Sequence, residues 1–117
     1  MEAIVLAGGF GTRLKEVVSD VPKPMAPVNG RPFLEFILDE LITAGFKHAV
    51  LSVGYKHEVI INHFKDSYKG LKISYKIEDI PLGTGGAINY ALDLITDEYF
   101  YIVNGDTLFK IDYKKLD

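Results

Sequence analysis

Residues 3–14 read AIVLA followed by GGFGTRL, and the rest of the chain is arranged around them. Residues 3–7 form a continuous apolar run with two β-branched members, which predicts a buried strand. Three of the next four residues are glycine, so the backbone can turn sharply and approach a ligand closely. Successive N–H groups in such a turn bind anions, and Arg13 adds a planar cation suited to phosphate oxygens. The stretch predicts a polyphosphate site at the end of a first strand, with a tight turn that binds no ligand as the alternative.

Two other glycine-rich motifs do not fit this stretch. A P-loop that began at Gly8 would have its second glycine at position 13 and its lysine at position 14, but these positions hold Arg13 and Leu14. The dinucleotide fingerprint requires a third small residue three positions after Gly11, and Leu14 occupies that position. The phosphate site is therefore predicted to belong to another class.

The composition is that of a globular domain. The chain has 117 residues, which is one domain at most, with 48% hydrophobic and 25% charged residues. Its net charge of −3 argues against a nucleic-acid or membrane-surface partner. It has no cysteine, which excludes disulfides and thiol chemistry. Its N-terminal apolar run is too short for a signal peptide or membrane span, so a cytoplasmic location is expected.

Strands and helices are predicted to alternate along the chain. Apolar runs predict strands at residues 3–7, 48–53, 71–77 and 99–103, with a further extended segment at 107–112. Helical periodicity follows Pro32, which suits a first helical position, and it ends before Gly45. Further helices are expected over residues 56–64 and from the second glycine-rich loop to about Ile95. The pattern predicts an α/β fold with a mainly parallel sheet, its first four strands in the order 3-2-1-4.

This strand order predicts where a ligand binds. Strands 1 and 4 would be neighbours at the topological switch point, where open α/β sheets bind ligands. The loop ending at Arg13 follows strand 1, and Asn104, Gly105 and Asp106 follow strand 4. The two stretches with the most chemical character would therefore meet at one crevice.

Asp106 and Lys23 are the candidate metal ligand and catalytic cation. A carboxylate just beyond a buried strand suits Mg²⁺, which prefers few carboxylates together with phosphate oxygens and water. The alternative is that Asp106 only forms a turn. Lys23 lies between Pro22 and Pro24, which stiffen its loop, and a fixed lysine can stabilise charge on a phosphoryl group. The alternative is an ordinary solvated surface lysine.

A second glycine-rich loop, residues 81–86, is predicted to open a helix with Thr84 as its N-cap. The N–H groups of Gly83, Gly85 and Gly86 can meet an anion or a base edge there, or the glycines can serve only loop flexibility. Gly54 and Tyr55 end strand 2 on the same side of the sheet, and Tyr55 either lines the ligand or packs ordinarily. The histidines do not have the spacing of metal ligands. No Ser/His/Asp or Cys/His arrangement indicates covalent catalysis. Glu78 and Asp79 are assigned no catalytic role.

These motifs resemble those of the sugar-phosphate nucleotidyltransferases. The resemblance rests on residues 6–14 (LAGGFGTRL), 22–25 (PKPM), 81–87 (PLGTGGA) and 104–106 (NGD), which together span essentially the whole chain. It implies a Rossmann-like three-layer sandwich, the nucleotide-diphospho-sugar transferase fold, with residues 1–117 as the nucleotide-binding part of one domain. It also implies a reaction in which a nucleoside triphosphate and a sugar 1-phosphate give a nucleotide-sugar and pyrophosphate, with Mg²⁺.

The resemblance also implies roles for individual residues. Arg13 would hold the departing pyrophosphate, Lys23 would contact the phosphate under attack, and Asp106 would bind Mg²⁺. The residues expected at the nucleotide are Leu6, Ala7, Gly8, Gly9, Gly11, Thr12, Gly54, Gly83, Thr84, Gly85, Asn104 and Gly105. Thymidylyl- and uridylyltransferases carry a base-reading glutamine near the place of Gly86, and its absence here favours GTP.

Residues 13–38 resemble D-glycero-D-manno-heptose 1-phosphate guanylyltransferases, which serve bacterial surface-polysaccharide assembly, with mannose or another sugar 1-phosphate as the alternative. Members of the family are about twice this long, so the chain resembles an N-terminal half. The family's second metal-binding aspartate and its sugar-binding lysine belong to the other half. We therefore expect nucleotide binding to survive better than turnover in these 117 residues.

Two further expectations remain open. Residues 99–103 are apolar, and if they lie near a sheet edge they would favour self-association, so a homo-oligomer is expected. The competing functional class is a nucleotide-binding module without catalysis, which would bind GTP and release no pyrophosphate. A molybdenum-cofactor nucleotidyltransferase fits less well, because its lysine-bearing loop is spaced differently from residues 22–24.

Overall fold

A six-stranded, mostly parallel sheet forms the centre of the computed structural model, which describes residues 1–7, 23–54, 56–80, 83–104 and 107–112. Its order is β5-β6-β4-β1-β7-β8. The strands, in chain order, are β1 (Glu2–Leu6), β4 (His48–Val53), β5 (Ser67–Tyr68), β6 (Leu71–Ile77), β7 (Tyr99–Asn104) and β8 (Thr107–Asp112). A separate small hairpin pairs β2 (Pro27–Val28) with β3 (Arg31–Pro32). The four long parallel strands lie in the predicted 3-2-1-4 order, so the predicted α/β fold class and topology are confirmed.

Helices cover both faces of this sheet. The helices α1 (Phe33–Thr43) and α2 (His57–Phe64) pack on one face through Leu34, Leu38, Leu41, Ile60 and Phe64. The helix α3 (Gly83–Ala91) packs on the other face, where Ala87 and Ala91 meet Ile4, Leu6 and Val50. All residues of β1 are buried, because β1 lies between β4 and β7 and under helices on both sides. A continuous apolar run is the sequence expected of such a strand.

The segment 99–103 does not lie at a sheet edge. The strand β7 pairs in parallel with β1 on one side and antiparallel with β8 on the other. The condition under which residues 99–103 would favour self-association is therefore not met, because residues 107–112 form the edge strand. Homo-oligomerisation loses that support and stays a prediction.

Two short hairpins escaped the sequence analysis. Asn29 and Gly30 join β2 to β3, and Lys69 and Gly70 join β5 to β6, with positive φ at all four residues. Two positive φ angles in a two-residue loop match the twist of paired strands, and Asn-Gly is the strongest sequence signal for this turn. The signal at residues 29–30 was therefore present, but strands of two residues are too short to show periodicity.

Three helix boundaries differ from those predicted. Pro32 is not the first helical residue: it ends β3 with φ −59° and ψ 138°, and α1 begins at Phe33. Thr84 is not an N-cap, because α3 begins one residue earlier at Gly83. The same helix stops at Ala91 and continues only as a 3₁₀ turn to Leu94, short of the predicted end near Ile95. None of the described helices has the length and apolar character that a membrane-spanning helix requires.

A buried polar network fixes the amino ends of the strands. The Glu2 carboxylate, only 6% exposed, accepts hydrogen bonds from the backbone N–H groups of Thr96 (2.7 Å) and Asp97 (2.9 Å). It also lies 2.8 Å from Nδ1 of His48, whose Nε2 lies 2.8 Å from Oγ of Ser74. The network joins β1, β4, β6 and the turn before β7, so it stabilises the strand order at the edge of the sheet opposite the predicted site.

A second polar network ties the β2–β3 hairpin to the helices. Arg31 in β3 bridges Glu35 (2.9 Å) and Asp39 (2.7 Å) of α1, and Tyr68 donates a hydrogen bond to Asp39. His63 of α2 contacts the other oxygen of Glu35 at 2.6 Å. Hydrogen bonds from His63 and Arg31 lower the pKa of Glu35, and that from Arg31 lowers the pKa of Asp39. Both carboxyl groups are therefore held ionised as parts of the scaffold.

Candidate active site

The carboxyl ends of three central strands meet at the predicted crevice. Leu6, the last residue of β1, pairs with Ser52 of β4 on one side and with Asn104 of β7 on the other. Ala7 continues this alignment, since its N–H donates to the Ser52 carbonyl at 2.8 Å. Leu6 and Ala7 are buried, and Asn104 is exposed at the end of its strand. Gly54 directly follows β4 at the same edge.

The crossover connections place the topological switch point between β1 and β7. The connection from β1 to β4 contains α1 and passes over one face, whereas that from β6 to β7 contains α3 and passes over the other. In open α/β sheets, connections that leave on opposite faces mark the place where a ligand binds, which here is beyond the carboxyl ends of β1 and β7. The predicted meeting of the two chemical stretches is thus supported by the described strand ends.

The second glycine-rich loop enters α3 at this edge. The strand β6 ends there at Ile77, and α3 starts at Gly83. Gly83 has φ +77°, a conformation that glycine adopts without a steric penalty, and a Cβ at Gly83 or Gly85 would meet open space. The N–H groups of the first helical turn lack intrahelical acceptors, so Gly83, Thr84 and Gly85 present backbone donors toward the edge. Such an end favours a negatively charged or hydrogen-bond-accepting ligand.

The backbone at Lys23 is held by its neighbours. Lys23 begins a 3₁₀ turn that ends at Met25. Pro24 and Met25 are buried, Met25 within the core beneath α1, and the Phe33 N–H donates to the Ala26 carbonyl at 3.0 Å. These contacts fix the loop that carries the lysine, as its flanking prolines predicted.

Several predicted site residues lie outside the described part of the chain. They are Gly8, Gly9, Gly11, Thr12, Arg13, Tyr55, Gly105 and Asp106. Gly8 is bonded to Ala7, and Asp106 is bonded to Thr107, which pairs with Asn104. The described strands that these two segments adjoin in sequence, β1 and β7, are neighbours in the sheet.

The sequence analysis missed one polar pair at this edge. The Ser52 hydroxyl, fully buried, donates to Oε2 of Glu78 at 2.7 Å, and the Glu78 N–H donates to the Val53 carbonyl at 2.8 Å. The signal in the sequence was the single hydroxyl inside the apolar run 48–53. Glu78 had been assigned no catalytic role, which the structure leaves unchanged, but it is in contact with the site's scaffold.

Shifted pKa values in the described residues belong to structural contacts. Burial raises the pKa of Tyr75 to about 12, and its hydroxyl donates to the Lys65 carbonyl at 2.6 Å. Burial also raises the pKa of Tyr68, which bonds Asp39. These tyrosines therefore take part in the scaffold, and what the described strand ends offer an anionic ligand is the backbone N–H groups at the start of α3.

Comparisons with known proteins agree with this geometry. The sequence pattern of the nucleotidyl transferase family matches residues 2–116. The chain is 55% identical to the D-glycero-alpha-D-manno-heptose 1-phosphate guanylyltransferase of Campylobacter jejuni, covering 99% of this chain and 52% of that protein. It is 40% identical to the mannose-1-phosphate guanylyltransferase of Mycobacterium tuberculosis, covering 99% of this chain and 33% of that protein. The chain spans about half the length, or less, of these relatives.

A solved structure shows the same fold. The crystal structure of HddC from Yersinia pseudotuberculosis complexed with GMP-PN superimposes with a TM-score of 0.78 at 43% sequence identity. The match covers 90% of this chain and 47% of that one. The Rossmann-like fold and the match over nearly all residues establish that the chain belongs to the nucleotidyl transferase family.

Proposed function

We propose that the protein transfers a nucleotidyl group, GMP from GTP, to a sugar 1-phosphate, and that the product is a GDP-sugar with release of pyrophosphate. The observation that carries this proposal is the pairing of Leu6 with Asn104, which brings the strand before the glycine-rich loop beside the strand before Asp106. Family membership over residues 2–116 supports the same reaction class. In this proposal residues 1–117 are the nucleotide-binding part of a single nucleotidyltransferase domain.

The preferred acceptor is D-glycero-D-manno-heptose 1-phosphate. The 55% identity with the Campylobacter heptose 1-phosphate guanylyltransferase supports it. Mannose 1-phosphate is the second candidate, supported by the 40% identity with the mycobacterial mannose-1-phosphate guanylyltransferase. We place the reaction in the cytoplasm.

The proposed chemistry is an in-line phosphoryl transfer. An oxygen of the sugar phosphate attacks the α-phosphorus, the bond from that phosphorus to the bridging oxygen breaks, and pyrophosphate leaves with the electron pair. The acceptor is already anionic near neutral pH, so the step needs no general base. Catalysis then consists of positioning and of stabilising negative charge.

In this proposal, different residues of the chain position the substrates and stabilise the negative charge. Ala7, the glycines at 8, 9 and 11, and Thr12 wrap the phosphates, while Arg13 holds the departing pyrophosphate. Lys23 contacts the phosphate under attack from a loop whose backbone is fixed. Gly83, Thr84 and Gly85 face the base at the start of α3. Mg²⁺ bound at Asp106 supplies further neutralisation of phosphate charge.

The decisive experiment measures pyrophosphate release from GTP with Mg²⁺, with heptose 1-phosphate and mannose 1-phosphate compared as acceptors. Release that requires a sugar 1-phosphate is the expected result, with heptose 1-phosphate the faster acceptor. Because residues 1–117 alone are expected to bind GTP better than they turn it over, the assay is made on a chain of the relatives' full length; GTP binding without pyrophosphate release from that chain, with either acceptor, would identify a non-catalytic nucleotide-binding module. A preference for UTP or dTTP would overturn the guanylyl assignment and leave the reaction class intact.

A further inference from the structure

Ser52 is a buried hydroxyl at a position where the strand calls for an apolar side chain. It is fully buried near the end of β4, and every other residue after His48 in that strand is apolar. A hydroxyl removed from water destabilises the folded state unless it is hydrogen-bonded. Its partner is Oε2 of Glu78, at 2.7 Å. An alanine or valine would serve the core equally well, so the contact with Glu78 is what distinguishes serine at this position.

The same residue contacts the segments that lead to both glycine-rich loops. Its carbonyl accepts the N–H of Ala7, the residue immediately before Gly8. Its hydroxyl holds Glu78, the first residue of the connection from β6 to Gly83. The N–H of Glu78 also donates to the Val53 carbonyl at 2.8 Å, so Glu78 is fixed through both its backbone and its side chain.

The bond between Ser52 and Glu78 is of the stronger kind. A hydroxyl that donates to a carboxylate makes a charge-assisted hydrogen bond, and exclusion of water from Ser52 strengthens it. Glu78 is partly exposed and therefore reaches from the buried strand toward the open edge. Through this pair, the buried strand β4 holds Glu78, the residue at which the connection to the second glycine-rich loop begins.

We propose that Ser52 is a positioning residue which, through Glu78, sets the separation of Ala7, the residue before the first glycine-rich segment, from Gly83, the first described residue of the second. This inference rests on the proposed function, which assigns the first segment to the phosphates and the second to the base. Ser52 itself touches no substrate. Loss of its hydroxyl is expected to leave the fold intact and to weaken nucleotide binding.

The test measures the affinity for GTP with Mg²⁺, without sugar phosphate, by titration calorimetry on the protein and its variants. Ser52→Ala is expected to weaken GTP binding about tenfold, because Glu78 is then no longer fixed before the nucleotide binds, and ordering it on binding costs about as much as the lost hydrogen bond contributed. Glu78→Gln keeps an oxygen acceptor for the hydroxyl and is expected to retain affinity within about threefold. In a Glu78→Ala background, the further change Ser52→Ala is expected to have less than about a twofold effect, because the contact is already gone.

Ser74→Ala is the matched control. It removes a serine hydroxyl contact of similar length, 2.8 Å to His48, at the opposite edge of the sheet. It is expected to lower Tm to a similar extent as Ser52→Ala and to leave GTP affinity within about twofold. Equal weakening of GTP binding by both variants would reduce Ser52 to a general stability role and overturn the inference.

The remaining outcomes separate the two proposals. If Ser52→Ala binds GTP like the wild type, or if its effect persists undiminished in the Glu78→Ala background, the inference fails while the proposed function stands. If the wild-type protein binds no nucleoside triphosphate, both fail.

Discussion

Leu6 and Asn104 are directly paired neighbours on β1 and β7, although nearly the whole chain separates them in sequence. The pairing is parallel, so both strands end at the same edge and the segments that follow them leave side by side. The edge at which both strands end is the one where an open α/β sheet binds its ligand. The strand register thus connects the fold to the proposed reaction, and the following predictions test that connection.

Lys23→Ala is expected to slow pyrophosphate release about 10²–10³-fold, the usual effect of removing one group that stabilises transition-state charge. The buried neighbours Pro24 and Met25 fix the backbone of this loop, so the substitution should not unfold it. The measurement is a continuous pyrophosphate assay at saturating GTP and acceptor. Lys72→Ala, an exposed lysine on β6, is the control and should retain the wild-type rate. Equal rates in the two variants would show that Lys23 has no catalytic role.

Asp106→Asn is expected to raise the Mg²⁺ concentration needed for half-maximal activity about tenfold or more, because an amide is a weaker ligand for a hard cation than a carboxylate. A titration of activity with MgCl₂ at fixed GTP measures this. Asp66→Asn changes an exposed aspartate next to β5 and is expected to leave the titration unchanged. An unchanged Mg²⁺ requirement in Asp106→Asn would exclude this aspartate as a metal ligand.

Glu2→Gln is expected to lower the free energy of unfolding by about 2 kcal/mol at pH 7, because the buried carboxylate accepts several hydrogen bonds. Burial raises the pKa of Glu2, but hydrogen bonds from His48 and from the Asp97 and Thr96 backbone outweigh it, so the pKa lies below the ordinary 4.5.

A carboxyl whose pKa is lower in the folded state contributes stability above the unfolded-state value. That contribution is lost as pH falls below 4.5 and through the folded-state pKa. Urea unfolding from pH 7 to pH 3 should therefore show that the difference between wild type and Glu2→Gln shrinks at acidic pH. Glu40→Gln, an exposed glutamate of α1, serves as the control and should follow the wild type throughout. A constant difference between wild type and Glu2→Gln at all pH values would contradict the assignment.

Phe64→Ala is expected to destabilise the fold by about 3–5 kcal/mol, the cost of removing a buried aromatic side chain. Phe64 is 2% exposed in the core between α2 and the sheet, and its ring meets that of Tyr68 edge-to-face at 5.2 Å. Chemical denaturation gives the free energy of unfolding. Phe33→Ala, at a phenylalanine that is 36% exposed, makes the matched comparison and is expected to cost much less.

The sequence by itself determined the strand order and the edge of the sheet at which the chemistry lies. The strands at 48–53, 71–77 and 99–103 are continuous or alternating apolar runs, and chain connectivity then allows few arrangements. The residues of the glycine-rich stretch carry their chemistry locally, since three glycines and an arginine can be read without knowing their neighbours. Local pattern was therefore sufficient for the fold class, whereas the family was indicated by the resemblance of four motifs to those of known enzymes.

Only the tertiary structure decided the contacts between residues far apart in sequence. Nothing in the sequence pairs Ser52 with Glu78 or Glu2 with Thr96, because side-chain partners across strands depend on register to within one residue. The position of β8 outside β7 was likewise decided by pairing, which places the apolar strand β7 inside the sheet. Periodicity in the sequence identifies helices and strands. Strand register and side-chain packing decide which polar groups form hydrogen bonds, and those hydrogen bonds hold the strands and loops around the candidate site.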